Sequence, residues 1–313
     1  MKRHVLAAAC AAAFSAAMPA AAQDGIAERL RQLDRGARWT QAGVVTLQFP
    51  THHPQGMVRH DGRFFLSSVE INEATQRYPE LRDGMDRSPG SGRGHLFEVA
   101  GDGRLLRGIT IGDGDIYHPG GLDFDGTHIW MPVAEYRPNS RSIIYRVDPA
   151  TLRAEEVFRF PDHIGGLVMD RASRTLYGVS WGSRRLYAWP IGADGRPTNR
   201  DERPEALRRP NVSHYIDYQD CHSVGEGLAL CSGLNTYRPQ GPQGPVFSLG
   251  GVELVDLRRG QPVFQLPIEL WTEQGKPMTQ NPFAVAAEGP GLRFWFAPED
   301  DTTRLFTYDV RPR

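Results

Sequence analysis

The chain has 313 residues, with 36 Lys and Arg, 37 Asp and Glu, and a formal net charge of −1. No cluster of basic residues is present, which argues against a nucleic-acid partner. After residue 22, no segment approaches the roughly 20 apolar residues that a membrane-spanning helix requires. The 34 Gly and 24 Pro residues are typical of an all-β chain with many turns.

Residues 1–22 have the pattern of a secretory signal peptide, with a basic start, an Ala-rich apolar stretch and small residues before Gln23. We therefore expect a periplasmic or secreted protein. Residues 23–42 predict an N-terminal segment with a short amphipathic helix, and residues 43–49 predict a strand that stands before the first repeat.

A hairpin pattern is then repeated along the chain. His53–Glu70 and His118–Glu135 both open on His-Pro, turn at Asp-Gly and close on Glu. Asp-Gly between two apolar runs is a strong signal for a β-hairpin. Three copies that have drifted further start at His163, Asp217 and Asn281.

The repeats predict the architecture. Most copies continue with a third and a fourth strand, whereas the last copy lacks the fourth, and residues 43–49 supply a spare strand at the other end of the chain. Radial repetition closed by an N-terminal strand predicts a single all-β domain over residues 43–313, a β-propeller. We count five blades, with a sixth in residues 190–216 as the alternative, and expect a monomer.

Propeller geometry places the first and last residues of every hairpin on one face of the ring. Two long connections, residues 71–94 and 235–250, open on the same face and are able to cover it. The mouth of the central channel is thus predicted to carry an opening ring and an outer set of glutamates: His53, His118, His163, Asp217 and Asn281, then Glu70, Glu135 and Glu299.

The Pro-x-Gly opening, the Asp-Gly turn and the aromatic second strand resemble NHL-repeat and gluconolactonase-type propellers. HPQGM, DIYHPGG, GVSWGSR and HYIDYQDC, with further segments across residues 40–310, resemble a bacterial secreted family of unknown function. The first resemblance implies the fold, and the second implies no particular activity. The six-bladed peptidyl-hydroxyglycine amidating lyase is similar in placing His around a central zinc. Gluconolactonase-type enzymes use Glu and Asn or Asp instead.

Three imidazoles at one mouth could hold a divalent metal of the zinc type and leave a position for water. The leading hypothesis is therefore a metal-assisted hydrolase or lyase with His53, His118 and His163 as ligands. Glu70 and Glu135 are the candidate general bases. The candidate substrate-binding residues are Tyr136, Arg137, Arg141, Asp217, Asn281 and Glu299.

Other interpretations stay open. Each His could instead hydrogen-bond the neighbouring blade, and calcium could bind the carboxylates Glu70, Glu135, Glu299, Asp300 and Asp301. The alternative function is non-catalytic binding of a small molecule, glycan or peptide at the same mouth. A purely structural scaffold is a third possibility.

Cys221 and Cys231 lie five residues on either side of Glu226, the centre of a predicted hairpin turn. They should therefore face each other on adjacent strands. In an oxidising compartment such a pair is expected to form a disulfide.

Overall fold

The structure, a computed structural model, describes residues 25–241 and 243–313. Five antiparallel sheets follow one another around a central axis, which confirms the predicted five-bladed β-propeller. The predicted signal peptide, residues 1–22, lies outside the described residues. Within the described residues, no helix has both the length and the apolar character needed to cross a membrane.

The elements before and within blade 1 are α1 (Ile26–Arg31), β1 (Arg38–Thr46), β2 (His53–His60), β3 (Arg63–Glu73), β4 (Arg77–Arg82), β5 (Met85–Arg87), β6 (Ser91–Val99) and β7 (Leu105–Ile111). Blade 1 has the sheet order β2-β3-β6-β7, and the β4-β5 hairpin stands apart. Blade 2 consists of β8 (Ile116–Pro119), β9 (Asp123–Phe124), β10 (Ile129–Glu135), β11 (Ser142–Val147) and β12 (Ala154–Phe160).

Blade 3 consists of β13 (Ile164–Asp170), β14 (Thr175–Ser180), a 3₁₀ turn (Trp181–Ser183), β15 (Arg185–Pro190), α2 (Pro204–Leu207) and β16 (Arg209–Pro210). Blade 4 consists of β17 (Asp217–Ser223), β18 (Leu228–Tyr237), β19 (Phe247–Asp256) and β20 (Gln261–Ile268). Blade 5 consists of β21 (Phe283–Glu288), β22 (Gly291–Phe296), β23 (Arg304–Arg311) and, from the start of the chain, β1.

The N-terminal strand closes the ring. β1 pairs with β23 in antiparallel register, with Arg38 opposite Arg311 and Thr46 opposite Arg304. The strand begins at Arg38 rather than at residue 43, because a bulge between Gln41 and Gly43 interrupts the alternation on which a sequence pattern depends. α1 packs its apolar residues into the core cluster shared by blades 4 and 5.

Residues 190–216, all of them described, form no sixth blade. They contain α2 and the short strand β16, which pairs with β15 and so completes blade 3. The predicted disulfide is confirmed in blade 4, where Cys221 and Cys231 are directly opposite each other and their sulfur atoms are 2.06 Å apart.

Glycines let the innermost strands meet at the axis. Gly121 donates a backbone hydrogen bond to the Gly165 carbonyl over 2.9 Å, which joins blades 2 and 3 directly. A Cβ atom built on Gly120 would lie 2.2 Å from that same carbonyl oxygen. The paired glycines of the repeat are therefore required by the close approach of two backbones.

A buried carboxylate from blade 4 occupies the axis. Asp220 accepts hydrogen bonds from the backbone N–H of Met57 in blade 1 over 2.9 Å and of Leu122 in blade 2 over 3.1 Å. Burial raises the pKa of Asp220 well above its ordinary value. The first strand of each blade is a sheet edge, and this side chain satisfies edge N–H groups that would otherwise be unpaired.

A second carboxylate repeats the arrangement from blade 2. Asp123 accepts from the backbone N–H of Met169 in blade 3 over 2.7 Å and of Ser223 in blade 4 over 3.3 Å. Burial raises the pKa of Asp123 to about 7. His222 completes the connection to blade 5 by donating from Nε2 to the Phe283 carbonyl over 2.8 Å.

Gly120→Ala is expected to lower the free energy of unfolding by about 3 kcal/mol, because the new methyl group meets a backbone oxygen that has no room to move. Gly166→Ala is the matched control, since the nearest atom to its Cβ would be 3.9 Å away. Urea unfolding followed by circular dichroism measures both. Equal destabilisation of the two variants would contradict the close-packed axis.

Asp220→Ala is expected to lower the free energy of unfolding by about 3 kcal/mol or more, because the buried N–H groups of Met57 and Leu122 lose their acceptor. Asp217→Ala on the same strand is the control, since the side chain of Asp217 is 54% exposed and its ion pair is with Arg184 at the surface. Such a pair contributes about 0–1 kcal/mol. Thermal and urea unfolding compare the two variants, and a loss for Asp220→Ala no greater than for Asp217→Ala would refute this role.

Candidate functional site

The mouth of the axis holds a cavity of about 270 Å³. Its walls come from blades 1 to 4, and the three His of the opening ring all contribute to it. The polar and aromatic side chains that line it include His53, His118, Tyr136, His163, Trp181, Asp217 and Asp220. The structure thus brings the three predicted His to one cavity, together with two of the other predicted site residues, Tyr136 and Asp217.

His118 is buried, as is His163, whereas His53 is partly exposed. Its ring is stacked on Tyr136, with ring centroids 4.2 Å apart and an interplanar angle of 18°. Its Nε2 atom is buried and has no hydrogen-bond partner among the residues that the structure describes. Burial, together with the neighbouring His163 and His53, lowers the pKa of His118 well below its ordinary value, so the ring is neutral.

The other two imidazoles are oriented through Nδ1. His163 donates from Nδ1 to the Glu135 carbonyl over 2.8 Å, and burial lowers its pKa to about 4. His53 Nδ1 lies 2.8 Å from Oδ1 of Asp300. Burial opposes ionisation of Asp300, but hydrogen bonds and charge from His53, Asn281 and Lys276 outweigh it and lower the pKa of Asp300 to about 2.

The three imidazoles share a cavity without converging on one point. The ring centroids of His118 and His163 are 6.2 Å apart. Among the described residues, the His, Cys, Asp and Glu side chains that bring three ligand atoms within 4.8 Å of one another are His52, Glu70 and His95. A metal held by the ring of three His therefore stays a prediction.

Glu135, a candidate general base, is buried beside two arginines. Its carboxylate accepts from Arg137 Nε over 2.6 Å and from Arg141 Nε over 2.5 Å. Arg137 and Arg141 are thus directed at Glu135, and none of the three lines the cavity. This arrangement fixes the β10–β11 connection at the rim, and it favours a structural role for residues in which the sequence suggested catalysis and substrate binding.

The remaining residues of the predicted site are also paired. Asn281 donates to Asp300 over 2.9 Å, and Glu299 forms an ion pair with Arg304 over 2.5 Å. Asp217 lies at the cavity and pairs with Arg184 over 2.8 Å. No group of three carboxylates meets within ligand distance in the described chain, so the predicted calcium site also stays a prediction.

The connection between β3 and β6 reaches across the mouth towards blade 3. The Arg87 guanidinium lies 4.9 Å from the ring centroid of Trp181, a residue of the cavity wall. Tyr117 donates its hydroxyl hydrogen to the Pro89 carbonyl over 2.7 Å. A Cβ atom on Gly92 would lie 2.6 Å from the Tyr117 ring, so the glycine serves close packing beneath this connection.

His52 and His95 are the site residues that the repeat pattern missed. Neither occupies a repeated position, and the long insertion separates Glu70 from His95 in the sequence. Strand alternation contains the signal: Ser68 is opposite His95, and Glu70 is opposite Arg93. Glu70 and His95 are therefore diagonal neighbours on one face of the sheet, once the insertion is set aside.

Fold and site together define a five-bladed β-propeller with a His-lined cavity at its mouth. Over residues 10–312 the sequence matches a family of unknown function, DUF6454, and the chain belongs to that family. No curated protein matches the chain.

Solved structures resemble it only distantly. The mannose phosphorylase MPT-4 from Leishmania mexicana is 11% identical, with 86% of this chain and 88% of that chain covered and a TM-score of 0.47. The WD40 domain of Toxoplasma gondii coronin is 10% identical, with 90% of this chain and 88% of that chain covered and a TM-score of 0.41. Kuenenia stuttgartiensis hydrazine synthase is 12% identical, with 83% of this chain covered and a TM-score of 0.37. Only 59% of that chain is covered, so this chain spans little more than half of its length. These likenesses carry no conclusion about activity.

The low pKa of His163 predicts a pH-dependent contribution to stability. An imidazole in the unfolded chain titrates near pH 6.5, whereas His163 titrates at about 4 in the fold. Between these values the unfolded state binds more protons, so this group destabilises the fold as the pH falls, by on the order of 3 kcal/mol.

We expect the stability advantage of the wild type over His163→Gln to shrink by about that amount between pH 7 and pH 4. Urea unfolding at several pH values measures it. His128→Gln, in the turn that follows β9, is the control. An advantage that does not change with pH would contradict the buried neutral imidazole.

Proposed function

We propose that this propeller binds a small, hydroxyl-rich ligand of about monosaccharide size in the central cavity. The observation that carries the proposal is the buried Nε2 atom of His118, a residue of the cavity wall, for which residues 25–241 and 243–313 supply no hydrogen-bond partner. Leaving a buried polar atom unpaired costs about 1–3 kcal/mol. A ligand hydroxyl, which can donate to this atom or accept from it, removes the cost.

The chemistry of the wall supports a ligand rich in donors. A neutral imidazole whose proton is held at Nδ1 presents Nε2 as an acceptor, and His163 is held in this form by the Glu135 carbonyl. The carboxylate of Asp217 adds acceptors. The rings of Tyr136 and Trp181 offer aromatic surface for the apolar faces of a sugar.

The size of the cavity supports a small ligand. Its volume of about 270 Å³ lies just below the roughly 300–1,000 Å³ typical of sites for drug-sized molecules. A sugar unit fits this space better than a folded peptide segment. A peptide that inserts a single side chain is the other outcome that a ligand screen would reveal.

The test is a screen of monosaccharides, short oligosaccharides and short peptides by saturation-transfer NMR, followed by calorimetry on any ligand found. His118→Phe keeps an aromatic ring against Tyr136 but removes the acceptor. We expect it to raise the Kd roughly tenfold or more, the effect of losing one buried hydrogen bond.

The control is His128→Phe, the same change in the turn that follows β9, away from the cavity wall. It should bind like the wild type. Binding by His118→Phe as tight as that of the wild type would refute the assignment of the site, and a screen in which no compound binds would refute the ligand class.

Metal-assisted hydrolase or lyase activity is the second candidate. It is favoured by the anchoring of His53 by Asp300 and of His163 by the Glu135 carbonyl, since metal-binding imidazoles commonly hold their second nitrogen in this way. As placed, the three rings do not bring their ligand atoms together, and side-chain rotation would be needed. No catalytic step is assigned to the site for that reason.

Elemental analysis of the purified protein separates the two candidates. One zinc per chain that is lost in His118→Ala, together with turnover of lactones, esters or amidated peptides, would support the enzyme. Ligand binding that persists after treatment with a chelator, without turnover, would support the binding protein.

A further inference from the structure

We infer that His52, Glu70 and His95 form a binding site for a zinc-type divalent cation on blade 1, outside the central cavity. His52 immediately precedes β2, Glu70 lies on β3 and His95 lies on β6. None of the three lines the cavity at the axis, and the inference does not rest on the function proposed for it.

The distances match those of a metal site. One ligand atom from each residue lies within 4.8 Å of the other two, and His95 Nε2 is 3.2 Å from Glu70 Oε2. Zinc binds nitrogen and oxygen at about 2.0–2.2 Å, so neighbouring ligands in a tetrahedron are about 3.4 Å apart. The His95–Glu70 pair already has this separation, and the bound cation would take the place of their shared proton.

The two imidazoles are positioned by packing. The rings of His52 and His95 are stacked, with centroids 5.3 Å apart and planes 19° apart. The other face of the stack is Phe97, whose ring centroid is 5.2 Å from that of His95. Stacking leaves the ring edges, which carry the nitrogens, free of the stack, and a tilt of one ring brings both nitrogens to the same cation.

The backbone of His52 supports the same arrangement. Its φ of 56° lies in the left-handed region, which is uncommon for a residue with a side chain. The backbone N–H of Asp301 in blade 5 donates to the His52 carbonyl over 2.6 Å and holds this conformation. Strained backbone of this kind is concentrated at functional sites.

The ligand set selects the cation. Two imidazoles and one carboxylate suit zinc and similar transition metals, whereas calcium takes oxygen ligands only. All three residues are half-buried, so a fourth position remains open to water or a substrate oxygen, as in catalytic rather than structural zinc sites.

The guanidinium of Arg93 competes with a bound metal for the carboxylate of Glu70. Arg93 Nη1 lies 3.7 Å from Glu70 Oε2, and the Arg93 side chain is 62% exposed. A long exposed side chain moves away readily, but its charge opposes a second cation at Glu70. Arg93→Gln should therefore bind zinc more tightly than the wild type.

The experiment titrates Zn²⁺, and Co²⁺ as a spectroscopic probe, into the whole protein after removal of metals with a chelator. Calorimetry should show one equivalent bound, and Co²⁺ should give the visible absorption of a low-coordinate nitrogen and oxygen site. His52→Ala, His95→Ala and Glu70→Gln should each weaken binding roughly 100-fold or more, since even an outer partner of a ligand contributes about 10- to 100-fold.

Three controls accompany these variants. His128→Ala, outside both sites, and His118→Ala, in the central cavity, should retain Zn²⁺ binding, and circular dichroism checks that every variant is folded. Glu70→Gln preserves shape and hydrogen bonding if an alanine variant does not fold. The inference is overturned if the wild type binds no Zn²⁺, if the three ligand variants bind normally, or if binding is lost in His118→Ala but not in His95→Ala.

Discussion

At the axis, innermost strands present edge N–H groups that need acceptors from other blades, and the ring depends on their being satisfied. Asp220 and Asp123 supply the acceptors, each from one blade to two others. An unpaired buried N–H costs about as much as a lost hydrogen bond. Two side chains at the axis therefore hold together blades whose own sheets are separate.

This axis also determines where a ligand can bind. The backbones of blades 2 and 3 meet at Gly121 and Gly165, and the carboxylate of Asp220 lies against Gly121. With the axis filled in this way, the cavity of about 270 Å³ lies at the mouth. The opening residues of the repeats stand directly above the closed axis, which is why His53, His118 and His163 line one cavity.

The repeat made the architecture predictable. Equivalent hairpins fixed the blades, the spare strand indicated how the ring closes, and the symmetrical positions of Cys221 and Cys231 indicated the disulfide. These features depend on regular spacing, which a sequence displays directly. The short strand β16 was not predictable, because two residues carry no recognisable alternation.

The chemistry of the mouth was predictable only in part. The repeated positions brought the three His together, but they placed Glu70, Glu135 and Glu299 in one outer set, and the surroundings of the three glutamates differ. Each glutamate has its own arginine neighbours, contributed by residues at non-repeated positions. The pairing of His95 with Glu70 was hidden for a similar reason, because an insertion separates them in the sequence. The repeat therefore predicts where equivalent residues lie, but it does not predict which non-repeated side chains each of them contacts.

Closure of the ring by β1 has a consequence for the order of folding. The strand made first, Arg38–Thr46, finds its partner only in the strand made last, Arg304–Arg311. Contacts between such distant segments form slowly, because a loop of nearly the whole chain must close first. Blades 1 to 4 contain all their strands within continuous segments, whereas blade 5 is complete only once β23 has been made. Until then β1 exposes a free edge, so a chain that stops before β23 is left open to aggregation.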